Sequence, residues 1–129
     1  MTYVAVDSAH GQVACASAGH PPPRLVLPDG TVGGLDATGL VLGIDAGQQY
    51  EEVRAELPVG ATIVLYTDGV VEARRDGELY GTGRLDALLV RHRELPAREL
   101  AHAVTEDARH YSGGELSDDL AVVVIRRVS

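Results

Sequence analysis

Acidic residues flank the two most apolar runs of this 129-residue sequence. Asp68-Gly69 follows the run that ends at Tyr66, and Asp118-Asp119 directly precedes the run LAVVVI at 120–125. If the two runs form neighbouring antiparallel strands, the end of one lies beside the start of the other. Asp68 and Asp118 would then meet at one edge of a sheet. Two carboxylates placed in this way repel each other unless one takes a proton or a cation lies between them.

A metal ion is one interpretation of this pattern. Ligand sets made only of oxygen suit a hard cation such as Mg²⁺ or Mn²⁺. The small Gly69 would let backbone and water approach that ion. Residue types alone leave the alternative open, because Asp-Gly is common in turns and an Asp before a strand is often only a solvated stop.

The composition narrows the classes of partner. Arg and Lys together number 11, Asp and Glu number 19, and the formal net charge is −8. A surface this acidic repels nucleic acid and anionic membranes and favours cations. The sequence has no apolar run near the length of a membrane span and no signal peptide at its start, which predicts a cytoplasmic protein.

The single Cys15 cannot form an internal disulfide, and a buried thiol is favoured over a reactive one.

The pattern of apolar residues predicts an α+β fold, with antiparallel sheet and helices packed on a face. Turn signals separate five runs with strand character in the first half, and 29–49 is predicted to be mostly loop. Helical spacing follows, on faces made by Leu85, Leu88 and Leu89 and then by Leu100, Val104, Ala108 and Tyr111. The last run, 120–125, is predicted to be a strand buried on both sides. The strand runs of the first half are Thr2–Val6, Gln12–Ser17, Arg24–Leu27, Tyr50–Leu57 and Thr62–Tyr66.

Four segments in order carry a family resemblance: ASAGHPPPRL (16–25), LVLGID (40–45), LPVGATIVLYTDGVVEARRDGELYG (57–81) and SDDLAVVVI (117–125). The chain resembles the PPM-type, phosphatase 2C-like metal-dependent protein serine/threonine phosphatases, and within them the SpoIIE-like bacterial branch. The resemblance extends over nearly the whole chain. It implies a β-sandwich of antiparallel sheets flanked by helices, with two metal ions at one end. Those ions activate a water that attacks phosphoserine or phosphothreonine.

The resemblance also implies roles for particular residues. Asp68 matches one metal-ligand carboxylate and Asp118 another, while Asp119 matches the neighbouring position and Gly69 the adjacent backbone. Mn²⁺ or Mg²⁺ is the implied cofactor. A phosphorylated regulatory protein, such as an anti-sigma-factor antagonist in sigma-factor or stress signalling, is the implied substrate.

One family segment has no match in this sequence. The family's sheet begins with an earlier segment of the form G-D-x-x-G-H-G, whose Asp bridges the two metals, and two helices normally follow it. Residues 1–129 are therefore expected to be the C-terminal larger part of a phosphatase domain, with one weak metal site and little activity of its own. An exposed strand edge around Val4–Val6 and Cys15 is expected to favour a homodimer.

Three hypotheses about function remain from the sequence. The first is a phosphoprotein phosphatase. The second is a catalytically impaired remnant that acts as a phosphoprotein-binding regulatory module. The third is a fragment that requires the missing segment in trans.

Other polar residues have two interpretations each. Arg74, Arg75 and Arg84 could hold a phosphate, but arginines beside Asp76 and Glu78 more often form ion pairs at the surface.

Glu99 and His102 have the E-x-x-H spacing of di-iron helices, which need two such pairs, so a solvated helix face is favoured. Glu72 could contact the site but is expected to face water. His20 could be a catalytic acid or a ligand, and is interpreted as a loop histidine. Pro21–Pro23 could be a polyproline docking segment, and are interpreted as a stiff entry to a strand.

Overall fold

The structure, a computed structural model, describes residues 2–7, 9–17, 21–35, 43–45, 52–114 and 120–128. Ten strands and three helices lie in these residues. The strands are β1 (Thr2–Asp7), β2 (Gln12–Ser17), β3 (Arg24–Val26), β4 (Val32–Gly34), β5 (Gly43–Asp45), β6 (Glu52–Glu56), β7 (Thr62–Tyr66), β8 (Arg74–Arg75), β9 (Glu78–Leu79) and β10 (Val122–Arg126). The helices are α1 (Asp68–Val71), α2 (Gly81–Arg91) and α3 (Ala97–Tyr111).

Two four-stranded antiparallel sheets form the framework, in the orders β1-β2-β6-β5 and β10-β7-β3-β4. The predicted hairpin of β1 and β2 is present, with Val4 opposite Cys15. The prediction that 29–49 is mostly loop was wrong for two short stretches, because β4 pairs with β3 and β5 pairs with β6. Their glycines gave no strand signal, since the pairing comes from neighbouring strands and not from local propensity.

The two sheets bury an apolar layer between them. The buried side chains of this layer come from both sheets and from the turns beside them: Val13, Cys15, Leu25, Leu35, Ala55, Leu57, Ala61 and Ile63. Cys15 is only 2% exposed, and burial raises the pKa of its thiol. The buried-thiol interpretation is confirmed. The expectation that Cys15 lies on an exposed edge was wrong, because β2 is an inner strand flanked by β1 and β6.

A second apolar layer lies between the β10-β7-β3-β4 sheet and the helices. Leu100, Val104 and Ala108 repeat every four residues on α3, and all three are fully buried. Leu85 and Leu89 do the same on α2. Each Leu buried in this way contributes roughly 1.5–3 kcal/mol. Helices packed on one face of an antiparallel sheet confirm the predicted α+β class.

The last strand is less buried than its apolar sequence predicted. Val122 and Val124 pack on the helix side, whereas Val123 is 55% exposed. The prediction of a strand buried on both sides was wrong for a topological reason. Among the described strands β10 is the edge of its sheet, so one of its faces has fewer neighbours.

Arg126 ties this edge strand to the connection between α2 and α3. Its guanidinium donates to the Thr62 hydroxyl at 3.0 Å, to the Arg93 carbonyl at 2.8 Å and to the Leu95 carbonyl. Thr62 is a buried polar residue at 1% exposure. The same end of the sheet borders an open groove of about 310 Å³, to which Arg126 contributes.

Replacing Arg126 with Ala is expected to lower the free energy of unfolding by about 1–3 kcal/mol. The change leaves one hydroxyl and two carbonyls without their donor, although water entering the groove would offset part of the loss. Urea unfolding followed by circular dichroism measures the effect. Arg91→Ala, at an exposed position in the last turn of α2, is the control and should change stability by less than about 0.5 kcal/mol. Equal losses in the two variants would contradict the role of Arg126.

Candidate functional site

The pairing of β7 with β10 brings together the two chain segments that carry the predicted site. The strands are antiparallel, with Tyr66 opposite Val122. Thr67 continues the pairing past the end of β7, because its N–H donates to the Ala121 carbonyl at 3.1 Å. The Ala121 N–H in turn donates to the Thr67 hydroxyl, also at 3.1 Å. The predicted adjacency of these two strands is confirmed.

Asp68 follows Thr67 directly and is the first residue of α1. The helix is tied to the strand end by its backbone, since the Val70 N–H donates to the Thr67 carbonyl and the Glu72 N–H donates to the Asp68 carbonyl. Gly69 and Val70 are buried, which holds α1 in the helix-side core. The Asp68 side chain is exposed. The backbone hydrogen bonds of α1 and the burial of its next two residues fix the position from which this carboxylate extends.

The Asp68 carboxylate is chemically available. Within the described part of the chain, no hydrogen bond or ion pair uses it. An exposed carboxylate of this kind suits a hard divalent cation as one oxygen ligand of several. Asp118 and Asp119 lie outside the described residues, so their placement beside Asp68 stays a prediction. Among the described residues, no group of three or more His, Cys, Asp or Glu side chains is arranged to hold a metal ion.

An apolar pocket of about 190 Å³ adjoins Thr67 and Ala121. Its other lining residues are Pro21, Pro23, Leu65, Tyr66 and Val123. Pro23 is buried and its carbonyl accepts the Leu35 N–H at 2.8 Å, which agrees with the interpretation of the prolines as a rigid strand entry.

The chain after α1 forms the small hairpin of β8 and β9, joined by Asp76 and Gly77 with φ of 52° and 81°. Asp-Gly with two positive φ values is the favoured turn for a two-residue hairpin loop. Arg84 pairs with Glu78 at 3.2 Å. The ion-pair interpretation is therefore confirmed for Arg84.

The other candidates are distributed over the surface. Glu99 and His102 are both exposed on α3, in agreement with a solvated helix face, and Glu72 is exposed at the end of α1. His20 lies outside the described residues.

Sequence reasoning missed two side-chain contacts, one at the β7–β10 edge and one between the helices. Thr67 fastens the two strand segments through its hydroxyl, and no pattern in the sequence distinguishes it from other Thr residues. Tyr80 is 1% exposed and its hydroxyl donates to the Asp107 carboxylate. Burial, and then the neighbouring Asp107, raise the pKa of Tyr80 above its ordinary value. This contact joins the start of α2 to α3.

Antiparallel sheets packed face to face, with helices on the outer face of one sheet, are the fold of PP2C-like phosphatase domains. The phosphatase domain of SpoIIE from Bacillus subtilis has this fold, with a TM-score of 0.79 at 18% identity over 99% of this chain and 56% of that chain. The SiaA PP2C domain of Pseudomonas aeruginosa gives a TM-score of 0.77 at 25% identity over 97% of this chain and 50% of that one. The phosphatases of this class are metal-dependent.

The chain belongs to the SpoIIE family, since the family model described as Stage II sporulation protein E matches residues 1–128. The phosphoserine phosphatase RsbU of Bacillus subtilis is 32% identical over 128 residues, which are 98% of this chain and 38% of RsbU. The chain thus spans less than half the length of this curated relative. None of the helices in the described ranges combines the length and the apolarity needed to cross a membrane.

Proposed function

We propose that this chain forms the C-terminal larger part of a metal-dependent protein phosphatase domain that acts on phosphoserine or phosphothreonine. The single observation that supports this most is the register of β7 with β10. It puts the exposed Asp68 at the sheet edge where residues 120 and 121 enter the adjacent strand. Family membership supplies the reaction class for a site at that edge.

Chain connectivity supports Asp118 and Asp119 as the partners of Asp68. Successive Cα atoms are about 3.8 Å apart, so the Cα of Asp119 lies at most about 8 Å from that of Ala121. The limit for Asp118 is about 11 Å. Thr67 is hydrogen bonded to Ala121 and precedes Asp68, so the length of the chain allows Asp118 and Asp119 to reach the edge that carries Asp68.

Mn²⁺ or Mg²⁺ would be held by the carboxylates of Asp68 and Asp118, with Asp119 and the backbone at Gly69 as further contacts. When bound, such ions activate water for attack and neutralise charge on the phosphoryl oxygens. The protein's own contribution is orientation. Buried Val70 and the α1 backbone hydrogen bonds hold Asp68 in place, and the β7–β10 ladder aligns the second segment with it.

The substrate we propose is a phosphorylated regulatory protein, such as an anti-sigma-factor antagonist, and the compartment we propose is the cytoplasm. The test is Mn²⁺-dependent release of phosphate from a phosphoserine peptide. Turnover supports a phosphatase. Peptide binding without turnover, even when the G-D-x-x-G-H-G segment is supplied, would instead support the phosphoprotein-binding module.

A homodimer through a strand edge is a further part of the proposal. Within the described strands β1 pairs only with β2, and Val6 on β1 is 43% exposed. An open edge with apolar side chains favours pairing with a second strand.

Sedimentation velocity of the 129-residue chain is therefore expected to show dimers or larger species at micromolar concentration. Val6→Lys, which places a charge at an exposed position of the edge strand, should reduce them. A stable monomer of the unmodified chain at the same concentration would contradict the proposal.

A further inference from the structure

The β8–β9 hairpin has two chemically different faces. Arg74 lies opposite Leu79, and Arg75 lies opposite Glu78. Because side chains alternate along a strand, Arg74 and Leu79 share one face while Arg75 and Glu78 share the other. All four residues are exposed, so both faces lie at the surface of the protein.

The face with Arg75 and Glu78 is fastened to the helices. The Arg75 guanidinium lies 5.5 Å from the centre of the Tyr111 ring, and that of Arg84 lies 4.7 Å from it. The Tyr111 hydroxyl donates to the Glu78 carbonyl at 3.0 Å. Arg84 donates to the Leu79 carbonyl at 2.9 Å and pairs with the Glu78 carboxylate. These contacts hold the hairpin in one orientation.

The opposite face, formed by Arg74 and Leu79, has no such attachment. Leu79 is 41% exposed. In the described ranges no carboxylate lies within ion-pair distance of Arg74. An arginine beside a large apolar side chain on a rigid support is the composition of a protein-binding surface, where Arg is enriched among the residues that carry affinity.

We propose that this Arg74–Leu79 face docks the phosphoprotein substrate through an acidic segment that also carries an apolar side chain. The proposal rests on the proposed phosphatase function. The hairpin follows α1 directly, so the face lies on the same chain segment as Asp68. A protein of net charge −8 repels an anionic substrate at long range, and an exposed cation three residues after the end of α1 offsets part of that repulsion. We assign the face to the substrate because its segment continues directly from α1, which carries Asp68; a second copy of this chain, which is equally acidic, is the other occupant that the sedimentation measurement below tests.

The test measures peptide binding by fluorescence anisotropy, with EDTA present so that no hydrolysis occurs. The probe is a labelled phosphoserine peptide with Asp, Glu and Leu around the phosphoserine. Arg74→Glu is expected to weaken binding by about tenfold, because it replaces an attraction by a repulsion. Arg98→Glu is the matched control, since it makes the same change in net charge at an exposed position near the start of α3. Arg98 lies about 20 Å along the helix axis from Tyr111 at the other end. This control should weaken binding by no more than about twofold.

The apolar half of the face has its own pair of variants. Leu79→Ser is expected to weaken binding about fivefold, whereas Val59→Ser, at a 52% exposed turn position, should leave it unchanged. Equal losses in Arg74→Glu and Arg98→Glu would show a net-charge effect and overturn the proposal. A change of sedimentation coefficient in Arg74→Glu, with peptide binding unchanged, would assign the face to a second copy and also overturn it. Because binding is measured without metal, a failure of the catalytic proposal is detected separately, as missing turnover.

Discussion

Asp68→Asn is expected to abolish the Mn²⁺-dependent phosphatase activity of a complete domain that contains this chain. The loss in kcat/KM should be on the order of 100-fold or more, since one ligand carboxylate contributes a few kcal/mol to stabilising the charged transition state. The physical reason is charge: the amide keeps the shape of the side chain but removes the anion that would hold the cation. Hydrolysis of p-nitrophenyl phosphate and of a phosphoserine peptide, each with and without Mn²⁺, measures the effect.

Asp76→Asn is the matched control for this variant. Asp76 is an exposed Asp in the turn of the β8–β9 hairpin at a φ of 52°, a backbone conformation that Asn adopts easily. It makes the same change in charge, and activity should remain within about twofold of the unmodified protein. Full activity in Asp68→Asn would remove Asp68 from the metal centre, and with it the main support for the site at the β7–β10 edge.

The second large effect on activity concerns the family segment G-D-x-x-G-H-G, which has no match in residues 1–129. The 129-residue chain alone is expected to hydrolyse phosphoserine peptide at close to the background rate and to bind Mn²⁺ weakly at one site. Asp68 with Asp118 and Asp119 offers only part of an octahedral ligand set, and divalent ions bind loosely to so few ligands. Joining a family segment of the form G-D-x-x-G-H-G ahead of residue 1 should raise activity by about 100-fold or more.

One measurement and one control variant test this prediction. Titration calorimetry with Mn²⁺ should show one weak site in the chain alone and a tighter second site in the extended protein. An extended protein whose G-D-x-x-G-H-G carries Asn in place of Asp serves as the control, because it restores the fold contacts without the bridging carboxylate. If the 129-residue chain turned over substrate rapidly by itself, and Asp68→Asn stopped that turnover, another residue of this chain would have to replace the bridging Asp.

The amino-acid sequence by itself determined the elements whose signals are local. Leu100, Val104 and Ala108 recur at the helical period, which predicted α3 and the face it buries. The apolar run of β7 and the run at 120–125 predicted two strands, and Asp68 and Asp118 beside them led to the hypothesis that the strands are antiparallel neighbours, which the structure confirms. Motif order led to the family, because AGHPPP, YTDG and SDD are contiguous strings that need no knowledge of contacts.

Tertiary structure alone decided the features that depend on partners distant in sequence. Strands β4 and β5 exist because β3 and β6 supply hydrogen-bonding neighbours, which their glycine-rich sequences do not reveal. The exposure of Val123, and the inner position of the strand that carries Cys15, follow from the order of the strands in the two sheets. Thr67 and Tyr111 took on their roles in the same way. The Thr67 hydroxyl links two strands, and the Tyr111 hydroxyl holds the β8–β9 hairpin, only because folding brings an N–H or a carbonyl from elsewhere in the chain to hydrogen-bond distance.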